Sequence, residues 1–176
     1  MFKLIAVVFL SLVAVLPASA QKLTSFTANL KPQVETNSYL SISQKKAFTP
    51  EEAKANKASV DLALIITQNN KKQVAEWYNM SGKDDKIPAD LRGTASVIST
   101  LSFDKDQFDK CNTSQDLQRM TGYITKNSFA HFASVTDDLG AGIKYHCFLV
   151  QMENGKRALI WLETGEGKSL KVTVKF

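Results

Sequence analysis

Two histidines, two cysteines and a scatter of acids carry most of the reactive chemistry available to this 176-residue chain. Ser128, His131, Asp137 and Asp138 lie close together in sequence, with His146 and Cys147 shortly after them. A hydroxyl, an imidazole and a carboxylate are the parts of an acyl-transfer nucleophile, and a thiol beside an imidazole is another. No Gly-x-Ser-x-Gly elbow surrounds Ser128, and a triad is defined by geometry in space rather than by neighbourhood along the chain. His146 and Cys147 are adjacent on a predicted strand, so their side chains leave from opposite faces. The sequence therefore assigns no catalytic residue. A small secreted hydrolase or toxin remains the alternative, and it would use His131 or His146.

Metal and cofactor chemistry finds no better footing. The two histidines are not in His-Glu-x-x-His spacing and the cysteines are not in Cys-x-x-Cys pairs, so no zinc site is expected. Asp104, Asp106 and Asp109 suggest calcium, but an EF-hand loop needs an oxygen ligand where Phe108 stands and glycine where Asp109 stands. These acids fit the start of a helix instead. Gly140-Ala141-Gly142 and Gly165-Glu166-Gly167 lack a Rossmann or P-loop continuation, so they read as turns, and no cofactor is expected. Lys156, Arg157, Lys168, Lys171 and Lys175 gather near the C-terminus, but Glu153, Glu163 and Glu166 interrupt them. A solvated strand face is the expectation, and nucleic acid is not expected as a partner. Asn79-Met80-Ser81 and Asn112-Thr113-Ser114 match the glycosylation tripeptide. Trp77 and Tyr78 are the candidate ligand-binding residues, since such rings stack on sugars and anchor interfaces. Trp161, on an interior strand, is expected in the core.

The first twenty residues read as an address. Lys3 precedes the apolar stretch Leu4 to Leu16, Pro17 breaks it, and Ala18-Ser19-Ala20 is a signal-peptidase pattern. Thirteen helical residues reach only about 20 Å, short of a hydrocarbon core of roughly 30 Å. We therefore expect a cleaved secretory signal over residues 1–20 and one β-rich domain over 21–176, secreted or periplasmic, with no membrane insertion after cleavage. Lys plus Arg (22) exceeds Asp plus Glu (17) by 5; the leader holds one Lys and no acid, which leaves +4 on the remainder. The overall balance, 44% apolar and 22% charged, excludes disorder and a polytopic membrane protein. In an oxidising compartment Cys111 and Cys147 are expected to pair. The bridge would close a loop of about 37 residues, worth roughly 3–4 kcal/mol in the chain-entropy model.

The elements that must position these residues follow from patterning. Leu23 to Leu30 and Tyr39 to Ser43 read as strands. Thr49, Pro50 and Glu52 spell an N-cap, a first helical position and a capping box, with a stop at Asn56. Val60 to Thr67 reads as a buried strand, and Gln73 to Met80 fits a strand or a helical turn. Ser81 to Pro88 reads as a loop and Ala95 to Phe103 as a strand. The period changes over Asp104 to Met120 to that of short helices, the second capped by Thr113 and Asp116. Ile143 to Met152 and Arg157 to Glu163 form a hairpin around Asn154-Gly155. A two-residue turn there places Phe148 opposite Trp161 and Cys147 opposite Leu162. Cys147 then lies on the face away from Trp161, and the helical region must cover that face if the bridge forms. Ser169 to Phe176 alternates as a half-exposed strand near an edge. The fold class is mainly β, an antiparallel sandwich-like arrangement with two or three short helices over one side or end.

Phe48-Thr49-Pro50-Glu51-Glu52-Ala53, then Ala55-Asn56 and Val60-Asp61-Leu62, resembles a recurring pattern in uncharacterised small secreted proteins and lipoproteins of Bacteroidota. Gly155-Lys156, Leu159-Ile160 and the last alternating strand are also similar to those proteins. The resemblance implies a β-rich domain of the cell envelope and transfers no catalytic residue. Gln21 stands where the lipoprotein members carry a lipid-bearing cysteine. The expected function is a non-enzymatic binding or interaction module whose partner is a protein or glycan of the envelope.

Overall fold

The computed structural model describes residues 20–31, 38–83, 85–166 and 169–176. The expected leader lies almost wholly outside the described residues, as do Pro32, Gly167 and Lys168. The fold is mainly β, with ten strands in two antiparallel sheets and three α-helices among the described residues. The strands are β1 (Ser25–Leu30), β2 (Tyr39–Ser41), β3 (Lys46–Phe48), β4 (Leu62–Asn69), β5 (Lys72–Asn79), β6 (Val97–Leu101), β7 (Phe132–Thr136), β8 (Cys147–Gln151), β9 (Arg157–Thr164) and β10 (Leu170–Lys175). The helices are α1 (Pro50–Ala55), α2 (Lys105–Lys110) and α3 (Ser114–Thr121).

One sheet runs β1-β10-β9-β8-β6 and the other β3-β2-β4-β5-β7. Their facing sides enclose the main core, where Leu64, Trp77, Phe148, Val150, Ile160 and Val172 meet. Strand alternation explains this: each inward side chain is followed by one on the outer face. Both outer faces are then partly covered. Helices α2 and α3 lie over Leu101, Cys147, Leu149, Leu159 and Trp161 on the first sheet. On the second, α1 and the segment 85–91 cover Phe48, Ala63, Tyr78 and Met80. Ile98 and Ala130 exchange both backbone hydrogen bonds, 3.0 and 2.8 Å, and tie the β6 edge to the chain entering β7.

All three helices start on capping boxes, at Thr49 with Glu52, Asp104 with Gln107, and Thr113 with Asp116. Asp106 and Asp109, the other two acids considered for calcium, pair with Lys110 and Lys105 one helical turn away. Gln73 to Asn79 resolves as strand, and Met80 follows it. Its turn is Asn70-Lys71, both at positive φ (45° and 71°), so β4 and β5 stay paired to Asn69↔Lys72.

The β8–β9 hairpin departs from the expected register by one residue. Cys147 pairs with Trp161 and Phe148 with Ile160, so Cys147 and Trp161 share the outer face under the helices. The cause is local. Gly155 is at positive φ (80°) while Asn154 is not, and the Asn154 side chain accepts the Lys156 N–H at 3.0 Å. Gly155 N–H donates to Met152 O, and Met152 N–H to Lys156 O, which makes a three-residue loop with one glycine in the left-handed region. A one-residue slip exchanges every side chain between faces.

β10 pairs with both β1 and β9, near the edge as expected, but one of its lysines departs from the expected solvent face. Its Lys175 is buried, only 8% exposed. The ammonium donates to Phe108 O, Asp109 O and Asn112 Oδ1 at 2.9–3.1 Å, closing the C-terminal end of α2.

Candidate functional site

The outer face of the second sheet carries a recess flanked by two covering segments. The registers align Phe48, Tyr39, Ala63, Tyr78 and Phe132 in one cross-strand row spanning all five strands. Helix α1 sits on one side of this row because Pro50 and the Thr49 cap start it beside β3, and Ala53 anchors it in the apolar cluster beneath. The segment 85–91 comes down on the other side through Ile87 and Leu91. Lys54 and Asp90 join the two at 2.8 Å, an exposed pair worth little on its own.

Between them lies a cleft of about 460 Å³, lined by Tyr39, Glu51, Ala63, Ile65, Lys86 and Pro88. Its floor is apolar, with Ile65 half-buried, and its walls carry opposite charges at Lys86 and Glu51. Lys86 donates to Tyr78 Oη at 2.5 Å and to Glu76 Oε2 at 3.2 Å, while Tyr78 Oη donates to the same carboxylate at 2.6 Å. The hydrogen bond to Tyr78 comes first among the causes that raise the Lys86 pKa, so the wall holds a firm cation. The Tyr39 phenol is also raised, by burial and by the Asp90 charge.

The residues singled out in the sequence fall elsewhere. Trp77 is fully buried in the inter-sheet core, edge-on to Phe148 with ring centroids 6.4 Å apart. Tyr78 is 2% exposed, its ring stacked on Phe132 at 5.9 Å and capped by Lys86. Neither presents a ring face to a ligand, which corrects that expectation; Tyr78 serves the cleft only by holding Lys86. Trp161 is buried, as expected, with His146 stacked on it at 5.4 Å.

Cys111 and Cys147 are free thiols, not the expected disulfide. Both are buried in the cluster under α2 and α3. Burial and then the neighbouring Cys111 push Cys147 up to about 12, and burial raises Cys111 too. Such thiols are held protonated and unreactive.

The hydrolytic constellation does not come together. His131 Nδ1 lies 3.3 Å from Asn79 Nδ2, and His146 Nδ1 lies 2.8 Å from Leu162 O. Asp137 pairs with Lys144, and Asp138 caps the turn at Gly140. No group of three or more metal-ligating side chains forms among the described residues. The basic C-terminal residues disperse: Arg157 donates to Thr121 O and Ile124 O, and Lys171 pairs with Glu163. Asn79 is buried, which closes its tripeptide to a glycan. Among the described residues no helix is long and apolar enough to cross a membrane.

No protein family, curated protein or solved structure matches this chain. The cleft must therefore be argued from its own geometry. Sequence reasoning missed it because its floor and walls come from four separate stretches, and their meeting depends on strand registers. The one available signal was the α1 start at Thr49-Pro50.

Proposed function

We propose that this protein is an exported, non-enzymatic binding module of the cell envelope, and that its ligand site is the cleft between α1 and the segment 85–91. The cleft carries the reading: half-buried Ile65 forms an apolar floor between Glu51 and Lys86. An apolar base rimmed by charged side chains is the anatomy of a protein interface and suits a short protein segment. A glycan fits less well, because both tryptophans are buried and cannot stack on a sugar. The expected export signal and the resemblance to secreted envelope proteins of Bacteroidota support the location. The hydrogen bonds that hold His131 and His146 to Asn79 and Leu162 favour structural roles for both.

Two variants separate this from the hydrolytic alternative. Ile65→Glu places a charge on the apolar floor, and His131→Ala/His146→Ala removes both imidazoles. With circular dichroism showing the fold retained, Ile65→Glu is expected to abolish the phenotype that the gene confers and the double histidine variant to keep it. The opposite pattern would favour the hydrolase.

A further inference from the structure

We infer that Gln21 is a modification site: once the leader is removed, its α-amine closes on its own side chain to give an N-terminal pyroglutamyl lactam. This rests on the proposed export and on cleavage after Ala20. The structure adds where the fold's grip on the chain begins. Gln21 O accepts the Ser114 N–H at 2.8 Å, Lys22 bridges Thr113, and Leu23 N–H donates to Asn112 O at 2.8 Å. Thr24 and Phe176 then exchange both backbone hydrogen bonds, at 2.8 and 2.9 Å. Among the described residues the hold starts at the carbonyl of Gln21, and both Ala20 and Gln21 are exposed. The two groups that must react, the α-nitrogen and the side-chain amide of Gln21, make no hydrogen bond among the described residues.

Gln21 shares its cleft with basic side chains. Lys22, Lys156 and Arg157 line the cleft of about 360 Å³ into which Gln21 leads. Ser114, which holds Gln21, is the first residue of α3 and so stands at the positive end of its dipole. Asp116, the acid at this end, is already engaged by Asn112, Thr113 and Arg119. The deprotonated α-amine of Gln21 is the nucleophile. That nitrogen attacks Cδ of its own side chain and forms a new C–N bond. The Cδ–Nε2 bond breaks, and Nε2 leaves as ammonia with the proton given up by the attacking nitrogen. No oxidant, reductant or second substrate enters. The carbonyl that Ser114 holds is untouched, so the fold accommodates the lactam, and the mature chain presents a neutral end closed to aminopeptidases.

The test is the intact mass and N-terminal peptide of the exported protein, incubated at neutral pH and growth temperature, with an amine-directed label as probe. The expected result is chain 21–176 less one ammonia, with an N-terminal peptide labelled at the Lys22 ε-amine but at no α-amine until pyroglutamyl aminopeptidase removes the first residue. Gln21→Ala, at an exposed position, should leave folding intact and label fully. A chain that starts at Gln21 and takes label at its α-amine would overturn the lactam while leaving the export reading standing. A chain that starts elsewhere would overturn the cleavage site and the lactam together.

Discussion

Asp61 and Lys175 are the charged side chains in the buried class among the described residues, and each is there for a stated purpose. Asp61 accepts the Ile42 N–H at 2.8 Å and the hydroxyls of Ser96 and Thr94 at 3.0 and 3.2 Å, which ties the β2–β3 turn and the chain entering β6 to the start of β4. Burial is the largest effect on this carboxyl and raises its pKa, with the three hydrogen bonds opposing it. A carboxyl raised in the folded state contributes stability that is present below its unfolded pKa, near 4, and is lost as pH rises through the folded value. On acidification from neutrality to about pH 4 the wild type should therefore gain stability relative to Asp61→Asn, measured by urea unfolding across that range. Asp61→Ala leaves buried donors unsatisfied and should cost about 2–3 kcal/mol at neutral pH, and more on acidification. The cysteines make a second prediction at this scale. Folded protein without reductant should take up no alkylating reagent, and denatured protein without reductant should take up two equivalents by intact mass. No uptake in denaturant would mean a bridge. Nothing in the sequence marks Asp61, since its partners stand 19 to 35 residues away and meet it only in the fold.

At the scale of elements, Lys175 shows how β10 and α2 depend on each other. Its ammonium closes two α2 carbonyls and Asn112, and it also sits over the Phe108 ring at 4.8 Å. Lys175→Met keeps the stem and removes the charge-assisted bonds, so it should cost about 1.5–3 kcal/mol. Amide exchange is expected to quicken over 105–121 while β8 and β9 stay protected; uniform loosening of both would contradict the assignment. The capping signals at Thr49, Asp104 and Thr113 are local, complete within four residues each, and so were legible in the chain. The β8–β9 pair was legible as a hairpin but not in register, because whether Asn154 joins Gly155 at positive φ depends on which hydrogen bonds the two strands gain. That one residue moved Cys147 onto the Trp161 face. Lys175 reads as a solvent-facing lysine by alternation, and only the placement of α2 over the sheet reverses that.

For the whole molecule, two antiparallel sheets enclose one apolar core and each outer face is only partly roofed. The mainly β class followed from alternating apolar positions and short strands, which a single chain displays. The order of strands, and with it the row from Phe48 to Phe132, depends on pairings between distant segments that no local pattern encodes. The unroofed strip beside that row is the cleft, and its floor at Ile65 is where the account places a partner. The most direct test is photo-crosslinking in the intact envelope, with a photoreactive residue at position 65 or, as the control on the outer face of the other sheet, at position 173. Position 65 should give a discrete protein adduct that Lys86→Glu diminishes and position 173 should not. Equal adducts from both positions, or an adduct from 173 alone, would contradict the cleft as the binding site.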